Sequence, residues 1–216
     1  MKSRRREKDH DITPTREQFS AYESAFDYFN RTLFHGELPP VMLNFSRRAH
    51  SRGFYCPALW RRGKQEAAEI SLNPDELDRP ARESLATLVH ELCHHWQFTF
   101  GTPSRRGYHN KEWAEKMISI GLHPSHTGEP GGNMCGQNMT HYILDDGPFD
   151  RAFRAMPKET LLPWTSAGSL QEAKKKRQAH RKTAYRCPAC DARVWGKPGL
   201  SVICGDCGEP FEEETA

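Results

Sequence analysis

The chain has no long hydrophobic run. Apolar residues make up 36% of its 216 positions, and nowhere do they approach the ~18 consecutive apolar residues of a membrane-spanning helix. The first residues, MKSRRREKDH, are basic, and the sequence after them is polar where a secretory signal would be hydrophobic. A cytoplasmic location is therefore expected. In that compartment disulfides are rare, so the seven cysteines are read as metal ligands or free thiols. Internal repeats are absent. An excess of charge is also missing from most of the chain: residues 11–170 carry 17 Lys/Arg against 19 Asp/Glu.

The net charge of +3 comes from two short segments. Residues 1–10 hold five cations against two acids, and residues 171–186 hold seven against one. A nearly neutral body with basic segments on either side is suited to a polyanion, most simply nucleic acid. The division of the chain follows: a basic tail over 1–12, a domain with an extension over 13–150, a linker with the basic segment over 151–186, and a small C-terminal module over 187–216. The length suits one full domain and a satellite.

Phe19, Tyr22, Phe26, Phe29 and Leu33 recur at steps of three and four, which predicts an amphipathic helix from Thr15 to the FHGELPP turn. Three strands are expected over 41–46, 52–59 and 67–73, forming a small, mainly antiparallel sheet. Pro80 is placed for the first turn of a second helix that stops near Gly101. A third helix is expected from about Asn110 to Leu122. The turn-rich stretch after it, with the short apolar piece THYIL, reads as an extension packed on the domain.

The second helix carries LVHELCHHWQ, residues 88–97. At about 100° per residue, His90 and His94 lie some 40° apart and one turn from each other, so both can reach one ion. His95 lies about 140° from His90, at the edge of the stripe of Leu85, Leu88, Leu92 and Trp96 that faces the core. It is excluded as a ligand. Glu91 flanks the metal face, where a carboxylate reaches a water without binding the ion. Catalytic zinc takes three protein ligands, and the third candidates are His109, His123, His126 and His141. A short return through GTPSRRGY could aim His109 at the site.

Near the C-terminus, Cys187 and Cys190 pair with Cys204 and Cys207 across 13 intervening residues, enough for one hairpin. Two such knuckles hold one tetrahedral zinc with no open position, a structural site. With little core in so short a segment, the metal would supply much of its folding free energy. Tyr185, Trp195 and Phe211 are either base-stacking residues or the module's own core.

LFHGELP, EISLNP, LVHELCHHWQ, GYHNKEWAEKM, GLHPSHTG and MTHYILDDGPF together resemble the SprT-like (Spartan-type) zinc metallopeptidase family, most closely its short bacterial, plasmid and phage members that end in a zinc ribbon. The resemblance implies an α+β, zincin-like minimal metallopeptidase domain followed by a small β zinc ribbon. It further implies His90, His94 and His109 as ligands of a catalytic zinc and Glu91 as the catalytic base. The expected function is an endopeptidase acting on proteins associated with or crosslinked to DNA, a nucleoid-associated monomer with DNA as partner. The substrate would lie extended along the strand EISLN, with Tyr108, His141 and Tyr142 as candidate oxyanion donors. Two alternatives stand beside it: a non-catalytic, zinc-dependent nucleic-acid-binding protein with a vestigial HExxH site, and a metal-dependent hydrolase of something other than peptides. The intact Glu91 argues against the first of these.

Overall fold

The computed structural model describes residues 13–166 and 183–214. They fall in two compact units, divided along the chain after Ser166. The basic tail and most of the basic connector lie outside the described residues.

The first unit opens with helix α1 (Pro14–Leu33), where Thr13 accepts the Arg16 N–H and Pro14 occupies the first helical position. Tyr22, Ala25, Phe26, Phe29 and Leu33 are buried along one face. Phe19, expected among them, stays 38% exposed and packs edge-on against Phe45 at the rim of the sheet. The helix ends in a turn closed by Asn30, whose side-chain amide donates to the Leu38 carbonyl (3.0 Å) and accepts its N–H (3.1 Å). His35 and Gly36 take positive φ within this turn.

Strands β1 (Met42–Phe45), β2 (Gly53–Arg62) and β3 (Gln65–Leu72) form one sheet in the order β1-β3-β2. β2 and β3 are an antiparallel hairpin, whereas β1 runs parallel to β3. The sheet is therefore mixed rather than simply antiparallel, because the loop from β1 crosses to the far side of β3 before β2 begins. β3 is left in the centre with both ladders used. β2 is the edge.

Helix α2 (Ala81–Phe100) packs on this sheet and is buried without interruption from Ser84 to Cys93. Pro80 is its N-cap rather than its first-turn residue, and Gly101 is its C-cap. Helix α3 (Lys111–Ser119) is capped by Asn110, whose Oδ1 accepts the Trp113 N–H at 3.1 Å. The extension then forms a second, two-stranded antiparallel sheet of β4 (Leu122–Ser125) and β5 (Thr140–Ile143).

Residue 150, the expected end of the domain, lies inside a further helix, α4 (Pro148–Ala155). Phe149 is fully buried and stacks on Phe29 at 5.6 Å. The Arg82 Nε donates to Asp150 (2.8 Å) and the Tyr28 hydroxyl to the Ala152 carbonyl (2.8 Å). Gln18 pairs with the backbone of Trp164, which draws the following segment onto α1 as well. None of the described helices is long and apolar enough to cross a membrane.

The second unit is a three-stranded sheet of β6 (Thr183–Arg186), β7 (Arg193–Gly196) and β8 (Glu212–Glu213), in the order β7-β6-β8. Tyr185 is its core: it is 2% exposed, and its hydroxyl donates to the Lys197 carbonyl at 2.6 Å.

Because α4 shares the core of α1, Phe149→Ala should destabilise the first unit by about 3–5 kcal/mol, the usual cost of emptying a buried aromatic site. Urea unfolding followed by tryptophan fluorescence measures it; a loss under about 1 kcal/mol would mean that α4 only rests on the surface.

Candidate active site

Among the described residues, His90, His94 and His109 form one group whose ligand nitrogens all lie within 4.8 Å of one another. α2 presents His90 and His94 one turn apart. His109 comes from the loop after α2, and a network of side-chain hydrogen bonds determines where that loop goes. Gln97 donates from α2 to Asn110 Oδ1 (2.7 Å) and to Glu112 Oε2 (2.6 Å). Glu112 accepts the Thr102 N–H (2.8 Å), and Asn110 donates to the Thr102 carbonyl (3.1 Å). The end of α2 and the start of α3 are thus tied together, with His109 immediately before the tie. Gly101 makes room for it, since a Cβ there would lie 2.6 Å from Glu112.

A second constraint comes from the extension. The backbones of His109 and Gly136 exchange hydrogen bonds of 2.8 and 3.1 Å, and His109 Nδ1–H donates to the Gly136 carbonyl at 3.1 Å. With its proton on Nδ1, His109 carries a lone pair on Nε2, 3.0 Å from Nε2 of His94. Trp113, fully buried one turn into α3, packs against all three imidazoles, at ring separations of 4.9, 5.1 and 4.4 Å to His90, His94 and His109.

The three histidines are held neutral. Burial is the main cause for each; mutual repulsion adds to it at His90 and His94, and His94 is pushed down to about 3. Neutral imidazole nitrogens facing one point are the donor set of zinc, and tetrahedral zinc at about 2.0–2.1 Å would hold two of them about 3.3 Å apart. The observed 3.0 Å fits such an ion with little adjustment.

Glu91 is 5% exposed and lies beside the β2 backbone. A Cβ on Gly53 would come within 3.3 Å of its carboxylate, so glycine is what lets the two approach. Burial pushes Glu91 up to about 8, partly offset by the Tyr55 N–H donated to it and by the charge of Arg48. Such a carboxyl takes up and releases a proton near neutral pH. These groups line a cleft of about 1370 Å³ that also presents Arg48, Arg52, Arg105 and Arg106; Glu91 is the sole acid among its described lining residues.

The other candidate histidines stand outside the ligand group. His95 is tied by both nitrogens, donating to the Pro39 carbonyl (2.9 Å) and accepting from the Tyr55 hydroxyl (3.3 Å), which leaves no lone pair for a metal. His126 Nδ1 accepts the Asn133 N–H at 2.8 Å, and His123 stacks on Tyr142. Of the oxyanion candidates, Tyr108 and His141 line the cleft; Tyr142 does not. His141 stands outside the three-histidine group, with its Nδ1 3.2 Å from Nδ1 of His90. The strand EISLN, taken from the sequence as the substrate edge, cannot serve, because β3 is paired on both sides. β2 lines the cleft instead. Sequence reasoning also missed Gly136 and Trp113; the close glycines in PGGNMCG and the apolar position four residues after His109 were the signals present.

The four cysteines form the second group, also within 4.8 Å of one another. The two knuckles repeat one pattern. Cys187 and Cys204 accept from the N–H four residues on, at Asp191 and Gly208, and donate to the carbonyls of Ala192 and Glu209. Asp191 and Gly208 both have positive φ, 62° and 73°. The N–H groups of Cys207 and Asp206 pull the Cys204 thiol down to about 7, toward the thiolate that zinc requires.

A model of the SprT-like family matches residues 22–130, from α1 through the three histidines and Glu91 into the extension. The chain belongs to the SprT-like family. Its metallopeptidase-type domain therefore accounts for the first unit up to the loop after β4. No curated protein and no solved structure matches the chain significantly.

His109→Ala should remove about one equivalent of bound zinc, as should His94→Ala, while Ala at His95, His123 or His126 leaves it bound. Metal analysis of the purified variants decides this. Retention in His109→Ala with loss in His123→Ala would reassign the third ligand.

Proposed function

We propose that the chain is a zinc-dependent endopeptidase of zincin-like fold, cleaving proteins associated with or crosslinked to DNA. The observation that carries this reading is Glu91, held in the cleft beside three convergent imidazoles without being one of the ligand group. A purely structural site has no use for a carboxylate there, so the geometry favours catalysis over a vestigial centre.

His90, His94 and His109 would hold a catalytic zinc, and Cys187, Cys190, Cys204 and Cys207 a structural one. The catalytic ion, when bound, polarises the scissile carbonyl and acidifies water. Glu91 takes the proton from the attacking water and returns it to the leaving amine, which its raised affinity for protons suits. Arg52 bonds toward β3 through its carbonyl, so by the alternation of an antiparallel ladder the backbone groups of Gly53 and Tyr55 face the cleft. The Tyr55 N–H is given to Glu91 and the Gly53 carbonyl accepts from Ser51, which leaves the Gly53 N–H and the Tyr55 carbonyl for pairing. An extended substrate adds to this β2 edge. The edge is short, because Pro57 lacks a donor and the strand bulges between Cys56 and Trp60.

DNA is the expected partner, contacted mainly through the basic connector. The described part of the second unit carries three cations, Arg186, Arg193 and Lys197, against six acids, and both arginines are engaged in ion pairs with Asp191 and Glu214. Tyr185 is buried, whereas Trp195 is 61% exposed and free to stack on a base. The four cleft arginines suit a target that lies next to phosphate.

The test is incubation of the zinc-loaded protein with DNA-bound and DNA-crosslinked proteins, with and without single-stranded DNA, beside Glu91→Gln. Cleavage should fall at least about 100-fold in the variant with zinc retained, the scale of a missing general base. Equal cleavage by both proteins would remove Glu91 from the chemistry. No cleavage of any polypeptide by the fully loaded enzyme would favour the nucleic-acid-binding alternative.

Deleting residues 167–216 should weaken DNA affinity and flatten its salt dependence by about one unit of log-log slope for each phosphate that this half neutralises. Hydrolysis of a flexible peptide should persist. An unchanged affinity would shift DNA binding to Arg48, Arg52, Arg105 and Arg106.

A further inference from the structure

We propose that His141 is a positioning residue for the metal centre: its Nδ1 accepts the Nδ1–H of His90 and turns the Nε2 lone pair of His90 toward the ion shared with His94 and His109. The inference rests on the proposed zinc centre and adds to it a residue from outside the family-matched segment, which ends at residue 130.

His141 is outside the three-histidine ligand group, so no shared ion joins its Nδ1 to Nδ1 of His90. Two ring nitrogens 3.2 Å apart without an ion between them need a proton there, since their lone pairs repel. If His141 were the donor, His90 would carry its own proton on Nε2. With Nδ1 of His90 engaged by His141, Nε2 is the one nitrogen that His90 has left to offer the ligand group, and a proton there would block the ion. If His90 is the donor, its Nε2 is a lone pair and the donor set is complete. Only the second tautomer is compatible with a metal.

The same device operates at His109, whose Nδ1–H is taken by the Gly136 carbonyl. A metal-ligating histidine commonly gives its second N–H to such an acceptor, which fixes the ring and raises the basicity of the ligating nitrogen. Both acceptors come from the extension. Gly136 precedes β5, and His141 lies within it, opposite Pro124 of β4. The β4–β5 hairpin therefore orients two of the three ligands from outside the helix and the loop that carry them. The tautomer assigned to His141 also leaves its Nε2–H as a donor.

The experiment compares the full-length protein with His141→Ala and His141→Asn; the Asn side-chain oxygen can stand where Nδ1 of the histidine was. Zinc affinity is measured by chelator competition, with the four-cysteine site as internal reference, and the cobalt-substituted proteins are compared by visible absorption. His141→Ala should bind the catalytic ion about 10- to 100-fold more weakly and show an altered cobalt spectrum, the usual effect of removing such an acceptor. His141→Asn should recover most of the affinity and the wild-type spectrum. Unchanged affinity and spectrum in His141→Ala would overturn the proposal. Should His141→Ala fail to fold, His141→Asn still decides: a folded Asn variant with weakened zinc and an altered spectrum shows that the acceptor role is wrong. An intact protein that holds only the four-cysteine zinc would remove the zinc centre itself, and this inference with it.

Discussion

Three uncharged imidazoles must be brought close together with their lone pairs facing one another. Without an ion between them that arrangement is repulsive, so the surrounding structure has to enforce it. Two of the rings come at no cost in chain entropy, because the turn of α2 places them. The third must be delivered by a loop, which is tied down by hydrogen bonds of Gln97, Asn110 and Glu112. Gln97, Asn110 and Glu112 form one connected network between α2 and α3, with the buried Gln97 at its inner end. Such networks specify one arrangement because any partial version leaves buried polar groups unpaired.

The same constraint explains why α2 is buried along most of its length. A helix that offers one face to a metal and another to the core cannot also be a surface helix. It is sandwiched by the sheet on one side and by α3 with the β4–β5 hairpin on the other, and its polar residues are each answered by a partner: Glu91 by the Tyr55 N–H, His95 by Pro39 and Tyr55, Thr87 by Arg79 and the Glu83 carbonyl. The second unit solves a smaller version of the problem. It has one buried aromatic ring and two knuckles built from local hydrogen bonds, so the thiolates are preorganised by short turns rather than by a core. A metal adds the most where apolar burial is smallest.

Much of this was legible in the sequence. Periodicity located α1 and α2, the helical repeat put His90 and His94 on one face and His95 on another, and the spacing of the cysteines announced paired knuckles. Those features are local: they depend on the fixed advance per residue of a helix or on a tight turn, which a sequence carries with it. The resemblance singled out His109 among the four candidate third ligands.

What only the tertiary structure decided are the relations between distant segments. The parallel pairing of β1 with β3 depends on which side of β3 a loop crosses, and it moves the free edge from EISLN to β2. α4 joins the core because Phe149 meets Phe29, 120 residues away in the chain. Gly136 and His141 reach the histidines through a turn-rich stretch that has no periodicity to read. The sequence by itself determined which side chains could hold metals and a proton; the long-range packing determined how the rings of His90 and His109 are turned, because a ligand's orientation is set by the acceptor behind it, and that acceptor comes from another part of the chain.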